Sequence, residues 1–82
     1  MEEIFIPAVG MAMEEAILLE WHKSPGDLVN IGDVIAVIET DKTTMDLTAE
    51  SSGTLGHHRY KPNDEVPAGQ TITVILGPGE SE

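Results

Sequence analysis

A sandwich or flattened barrel of about eight short strands is the fold class that these 82 residues predict. Apolar residues recur at period two in short runs, and clusters containing Pro, Gly, Asn and Asp separate those runs. No segment shows a helical stripe of useful length. The chain also nearly repeats itself. Pro25-Gly26-Asp27 with Val29, Gly32, Ile35, Val37 and Ile38 is matched 37 positions later by Pro62-Asn63-Asp64 with Val66, Gly69, Ile72, Val74 and Ile75. In the same frame Ala16 and Leu18 face Gly53 and Leu55. Shared turn residues as well as shared apolar ones predict two similar halves related by an approximate two-fold axis. A repeat of only two closes on itself instead of extending as a solenoid.

The elements follow in order. Glu3 to Val9 reads as a first strand, with Pro7 tolerable on an edge. Ala16 to Trp21 is a second, leading through the Pro25-Gly26 turn to an apolar stub at Val29 and, after Gly32, to Val34 to Glu39. Thr44 to Glu50 returns from a short polar break. Gly53 to His58, the Pro62-Asn63 turn, a stub at Val66 and Thr71 to Leu76 then repeat the pattern. Gly77-Pro78-Gly79-Glu80-Ser81-Glu82 breaks strand structure and has the composition of a flexible linker. The expected division is a domain at 1–76 and the start of a linker at 77–82.

Composition narrows the function classes. Apolar residues make up 40% of the chain, yet its aromatics are only Phe5, Trp21 and Tyr60, so the core must come from layered Ile, Val, Leu and Met. A domain this small buries only roughly 60% of its unfolded surface, which suits a scaffold better than a deep catalytic pocket. The absence of cysteine removes disulfides, thiolate nucleophiles and zinc–thiolate sites. A net charge of −11, from 15 acidic against 4 basic residues, argues against nucleic acid and anionic membrane as partners. No window approaches a membrane span, and Met1-Glu2-Glu3 has the wrong charge to open a signal peptide. The expectation is a soluble, monomeric domain in the cytoplasm, or in the mitochondrial matrix of a eukaryote.

One basic residue stands apart. Lys42 occupies the polar break between Val34-Ile35-Ala36-Val37-Ile38 and the period-two series Met45, Leu47, Ala49, where a tight hairpin would project it into solvent. The repeat places this hairpin at the junction of the halves; the corresponding junction after the later half falls at position 79. A lysine in a turn is on its own merely solubilising. His22, His57 and His58 do not suggest a metal: neighbours on a strand face opposite ways, and surface strand histidines are the expectation. Ser24, Ser51 and Ser52 with these histidines assemble no nucleophile–base pair.

Glu39-Thr40-Asp41-Lys42-Thr43, preceded by Gly32-Asp33 and followed by Gly53, resembles the modified-lysine hairpin of lipoyl domains from 2-oxo acid dehydrogenase acyltransferase subunits. The resemblance spans residues 2 to 76 and takes in Pro7, Gly10, Glu15, Trp21 and the Pro25-Gly26-Asp27 turn. It implies a barrel of two four-stranded antiparallel sheets, with Lys42 at one end and both termini at the other. It further implies lipoic acid in amide linkage to Lys42, flanked by Asp41 and Thr43. The domain would be a non-catalytic swinging arm, carrying acyl groups and electrons among three enzymes: a thiamine-diphosphate-dependent decarboxylase, an acyltransferase catalytic domain and dihydrolipoyl dehydrogenase. A lipoate ligase or lipoyl transferase would install the group.

Gly10-Met11-Ala12-Met13-Glu14-Glu15 is similar to the loop of pyruvate- and acetoin-type systems more than of succinyl-transferring ones. Gly10, Met11, Met13, Glu14, Glu15 and Glu39 are the expected partner-recognition residues, and Glu14, Glu15, Glu39, Asp41, Asp46 and Glu50 are expected to leave the working end acidic. Ala16 departs from the family, which often has Gly there. The alternatives are a biotinyl carrier domain, whose lysine is flanked by methionines where this chain has Asp41 and Thr43, and an unmodified structural module, which needs no lysine at the tip. Met45, three residues on, is expected to turn inward as core.

Overall fold

The computed structural model describes residues 1–7, 15–40 and 43–81. Eight strands form: β1 Glu2–Phe5, β2 Glu15–Trp21, β3 Leu28–Val29, β4 Val34–Glu39, β5 Thr44–Thr48, β6 Gly53–Leu55, β7 Glu65–Pro67 and β8 Thr71–Leu76. They make two four-stranded antiparallel sheets, ordered β1-β8-β6-β3 and β5-β4-β2-β7. Exchanging β1 with β5, β8 with β4, β6 with β2 and β3 with β7 turns one order into the other, which is the two-fold relation the repeat predicts. Among the described residues, β4 and β5 are the one paired couple adjacent in sequence.

Hydrogen bonds reproduce the symmetry residue by residue. Gly26 N donates to Leu55 O (2.8 Å) and Asn63 N to Leu18 O (2.7 Å); Leu55 N donates to Asp27 O and Leu18 N to Asp64 O. Each Pro turn is thus sewn to a strand of the opposite half. The turns close on themselves through Asp27 Oδ2, accepting from Ser24 N, and Asp64 Oδ2, accepting from Lys61 N, both at 2.8 Å. Both need a left-handed residue at the same place, and Gly26 (φ 91°) and Asn63 (φ 76°) are two residue types that adopt it at low cost.

The core lies between the sheets. Ile6, Leu18, Ile35, Ile38, Val66 and Ile72 are fully enclosed, and Met45 packs half-buried against them, at the margin and not the centre. Period two fails on β8, where Ile72, Thr73, Val74 and Ile75 are all buried. Thr73 tolerates this because its Oγ1 donates to His57 O at 2.9 Å.

Three strands end earlier than expected, β1 at Phe5, β5 at Thr48 and β6 at Leu55. His57 and His58 thus lie beyond β6. In β2 the register slips between Leu18 and Glu20, inserting Leu19 as a bulge; Gly56 holds the equivalent place after β6. The consequence is a correction at His58. It is a half-buried partner of Trp21, with ring centroids 3.8 Å apart and planes within 5°. The two residues are themselves equivalent under the repeat. Trp21 Nε1 donates to Tyr60 O (3.1 Å) and His58 Nε2 to Lys23 O (2.8 Å), so each ring reaches the same carbonyl of the other half.

The repeat also pairs Ala16 with Gly53, and the two environments differ. Ala16 is buried on β2 opposite Val66, with its methyl group in the core. A methyl group at Gly53 would collide with the Leu76 carbonyl oxygen and come within 2.9 Å of Ile75 Cγ2. Because the first obstacle is backbone, Gly53→Ala is expected to destabilise the domain by about 1–3 kcal/mol, read as a lowered urea midpoint at unchanged slope.

Candidate functional site

The β4–β5 hairpin is built by ladder pairs Ile38↔Met45 and Glu39↔Thr44. Beyond them Thr40 and Thr43 clamp the turn. Thr40 N donates to Thr43 O at 2.7 Å, Thr40 Oγ1 donates to the same oxygen at 3.0 Å, and Thr43 N donates to Thr40 Oγ1 at 3.2 Å. Threonine hydroxyls supply the closure that a glycine-containing turn would get from backbone conformation alone. Two residues, Asp41 and Lys42, lie between the clamped pair and are outside the described residues, as are Gly10, Met11, Met13 and Glu14. Thr43 is exposed.

Glu15 and Glu39 do come together. Glu15 opens β2, Glu39 closes β4, and both line a hollow of about 210 Å³ at the base of the hairpin with Ala16, Ile17, Thr40 and Glu65. Glu65, on β7 and paired with Ile17, is a third carboxylate that lies too far from Lys42 in the chain for sequence proximity to find. Shifted by 37 positions, the six lining residues become Ser52, Gly53, Thr54, Leu76, Gly77 and Leu28, which line a second hollow at the other end of the domain. The fold therefore makes this hollow twice and does not itself require acids in it. Where the hairpin copy has three glutamates, the other has Ser52, Leu76 and Leu28.

Two expected members of the acidic end lie elsewhere. Glu50 is beyond the opposite end of β5, its N–H donating to the Glu2 carboxylate at 3.2 Å. Asp46 faces Val37 halfway along the ladder. The other lysines are set apart from the hairpin. Lys23 lies past the far end of β2, its Nζ 3.5 Å from Asp33 Oδ2. The Asn30 N–H, donating to that carboxylate at 2.9 Å, and the nearby Lys23 ammonium hold the Asp33 carboxyl below its ordinary range. Lys61 sits on the second Pro turn. Among the described residues no three His, Cys, Asp or Glu side chains converge on a metal position.

The pseudo-equivalent of the hairpin is the turn Gly77–Glu80. Glu80 N donates to Gly77 O at 3.1 Å, and Gly77 N donates to Glu80 Oε1 at 2.6 Å. The Met1 ammonium meets Glu80 Oε2 at 2.9 Å, and with the Gly77 N–H it draws that carboxyl's pKa down. One copy of the turn thus joins consecutive strands, and the other lies where the termini meet, at the opposite end.

A family model described as "Biotin-requiring enzyme" matches residues 2–75. The chain is 45% identical over 80 residues to the pyruvate dehydrogenase E1 component subunit beta of Rhizobium meliloti, covering 96% of this chain and 17% of that protein. It is 39% identical over 82 residues to the dihydrolipoyllysine-residue succinyltransferase component of the 2-oxoglutarate dehydrogenase complex of Bacillus subtilis, covering 99% and 20%. The chain thus spans about a fifth of the length of these relatives. The solution structure of the lipoyl domain of the 2-oxoglutarate dehydrogenase complex from Azotobacter vinelandii superposes with a TM-score of 0.75 at 29% identity, over 93% of this chain and 99% of that one. A matched family model over nearly the whole chain, the duplicated two-sheet barrel and the clamped hairpin agree: the chain belongs to the biotinyl- and lipoyl-carrier domain family.

Proposed function

We propose that this domain is a lipoyl carrier whose cofactor is bound in amide linkage to Nζ of Lys42, within an acyltransferase-type component of a 2-oxo acid or acetoin dehydrogenase complex. Residues 1–76 form the carrier unit, and 77–82 begin the connection to a longer parent. The observation that supports this most is the Thr40–Thr43 clamp, which confines the family's lysine position to a two-residue hairpin tip. An amine presented there suits acylation by a modifying enzyme. Asp41 and Thr43, where biotinyl domains carry methionines, favour lipoate over biotin, as do relatives named for dihydrolipoyllysine.

When bound, the dithiolane supplies reductive acylation, acyl transfer and reoxidation at the partners' sites. The arm has on the order of 15 Å of reach from the Cα. The protein's own contribution is presentation and recognition. Amide formation removes the lysine charge, taking the formal count from −11 to −12. Glu15, Glu39 and Glu65 then make the base of the hairpin a surface complementary to basic groups on the decarboxylase and on the ligase or transferase.

Incubation with a lipoate ligase is expected to raise the intact mass by one lipoyl group, and Lys42→Arg to abolish the increase. A mass gain in that variant, or a natural adduct with the mass of biotin, would refute the assignment. The apo and modified forms are expected to have equal unfolding free energies to within about 1 kcal/mol, since the core closes without the arm. Differential scanning calorimetry decides this, and a larger gain would mean that the arm packs on the surface. Replacing Glu15, Glu39 and Glu65 together with Gln is expected to raise KM for reductive acylation, with about 0.2–1 kcal/mol lost per carboxylate, and to flatten its salt dependence. Gln at the pseudo-equivalent Leu28 should leave both parameters unchanged.

A further inference from the structure

We propose that the seam between β1 and β5 is a docking groove for an extended, basic segment of a partner protein. Among the described residues β1 and β5 are the outermost strands of their sheets, each with a ladder partner on one side only, and they border a groove of about 530 Å³. Consecutive residues of both strands line it, Glu2 to Phe5 and Met45 to Thr48. It therefore opens onto strand edges and not onto one pleated face, and an unpaired edge is what an added strand requires.

The chemistry of the lining selects the occupant. Ile4 and Leu47 form an apolar floor, Met45 is half-buried, and Phe5 is 52% exposed despite its size. Around them stand Glu2, Glu3, Asp46 and Glu50, with no Lys or Arg among the described lining residues. Two of these carboxylates are held in place: Glu2 accepts from Ser51 Oγ at 2.7 Å and Glu3 from Thr71 Oγ1 at 3.1 Å. Asp46 projects from the edge strand itself. A second copy of the domain would bring like charges together, because both edges are acidic, and negative charge on an edge normally blocks that association. A strand with cationic and apolar side chains relieves the repulsion and covers Phe5. β5 leads directly away from the β4–β5 hairpin, so a segment bound along it lies next to that hairpin, and docking here would hold an enzyme close to the proposed carrier turn.

None of the described lining residues belongs to the modification site, and the unmodified domain tests the groove independently of lipoylation. Three capped octapeptides are titrated into ¹⁵N-labelled protein: alternating Lys and Val, alternating Glu and Val, and alternating Lys and Pro. The last keeps the charge but lacks an N–H at every second residue, and its proline rings, with φ fixed at about −65°, hold it out of the extended ladder conformation. The Lys–Val peptide is expected to give saturable shifts confined to residues 2–6 and 44–49. Affinity should fall about tenfold or more with the Lys–Pro peptide and with Asp46→Lys, should fall with Phe5→Ser, and should be unchanged by Glu20→Lys on the outer surface of β2. Equal binding of the Lys–Val and Lys–Pro peptides, equal loss in Glu20→Lys, or shifts spread over the whole acidic surface would overturn the proposal. So would shifts at the seam that depend on protein concentration without peptide, which would identify a second copy as the occupant.

Discussion

The exchange of hydrogen bonds between the two Pro turns and the strands of the opposite halves is the constraint on which the domain depends. Gly26 reaches Leu55 and Asn63 reaches Leu18, so neither half can complete its own turn without the other. The Trp21–His58 stack lies on the same axis and adds two more reciprocal bonds. Sheet order, the enclosed core and the separation of the two ends follow from this interlocking. Almost all of the pairing is non-local as a result, and folding must close long loops before it gains much enthalpy.

Much of this was legible in the residues, because turn chemistry is local. Pro-Gly-Asp and Pro-Asn-Asp specify their bends through an Asx interaction and one left-handed residue, and a 37-residue spacing between them announces the duplication. Strand ends were less legible. Neither the bulge at Leu19 nor the end of β6 at Leu55 alters a period-two pattern. His58 therefore lies beyond its strand and stacked on Trp21, where alternation alone would leave it on the surface.

At the candidate site the hairpin was legible and its acidic surroundings were only partly so. Glu15 and Glu39 converge as expected, but Glu65 joins them from β7, whose pairing with β2 is tertiary information. Glu50 illustrates the converse: it is near Lys42 in the chain, yet a five-residue strand moves it to the far end. The repeat serves as an internal control for such residues. Positions alike in both halves reflect the fold, whereas Glu15, Glu39 and Glu65 against Ser52, Leu76 and Leu28 are where the two ends differ in charge.

Trp21 is the only indole in the chain, and its ring is stacked at the joint between the halves, away from the hairpin. Its emission and near-ultraviolet dichroism are accordingly optical reporters of how the two halves dock. Loss of that signal marks separation of the halves, while events at the lysine tip leave it dark. A carrier built this way keeps its spectroscopic record of integrity apart from its cargo.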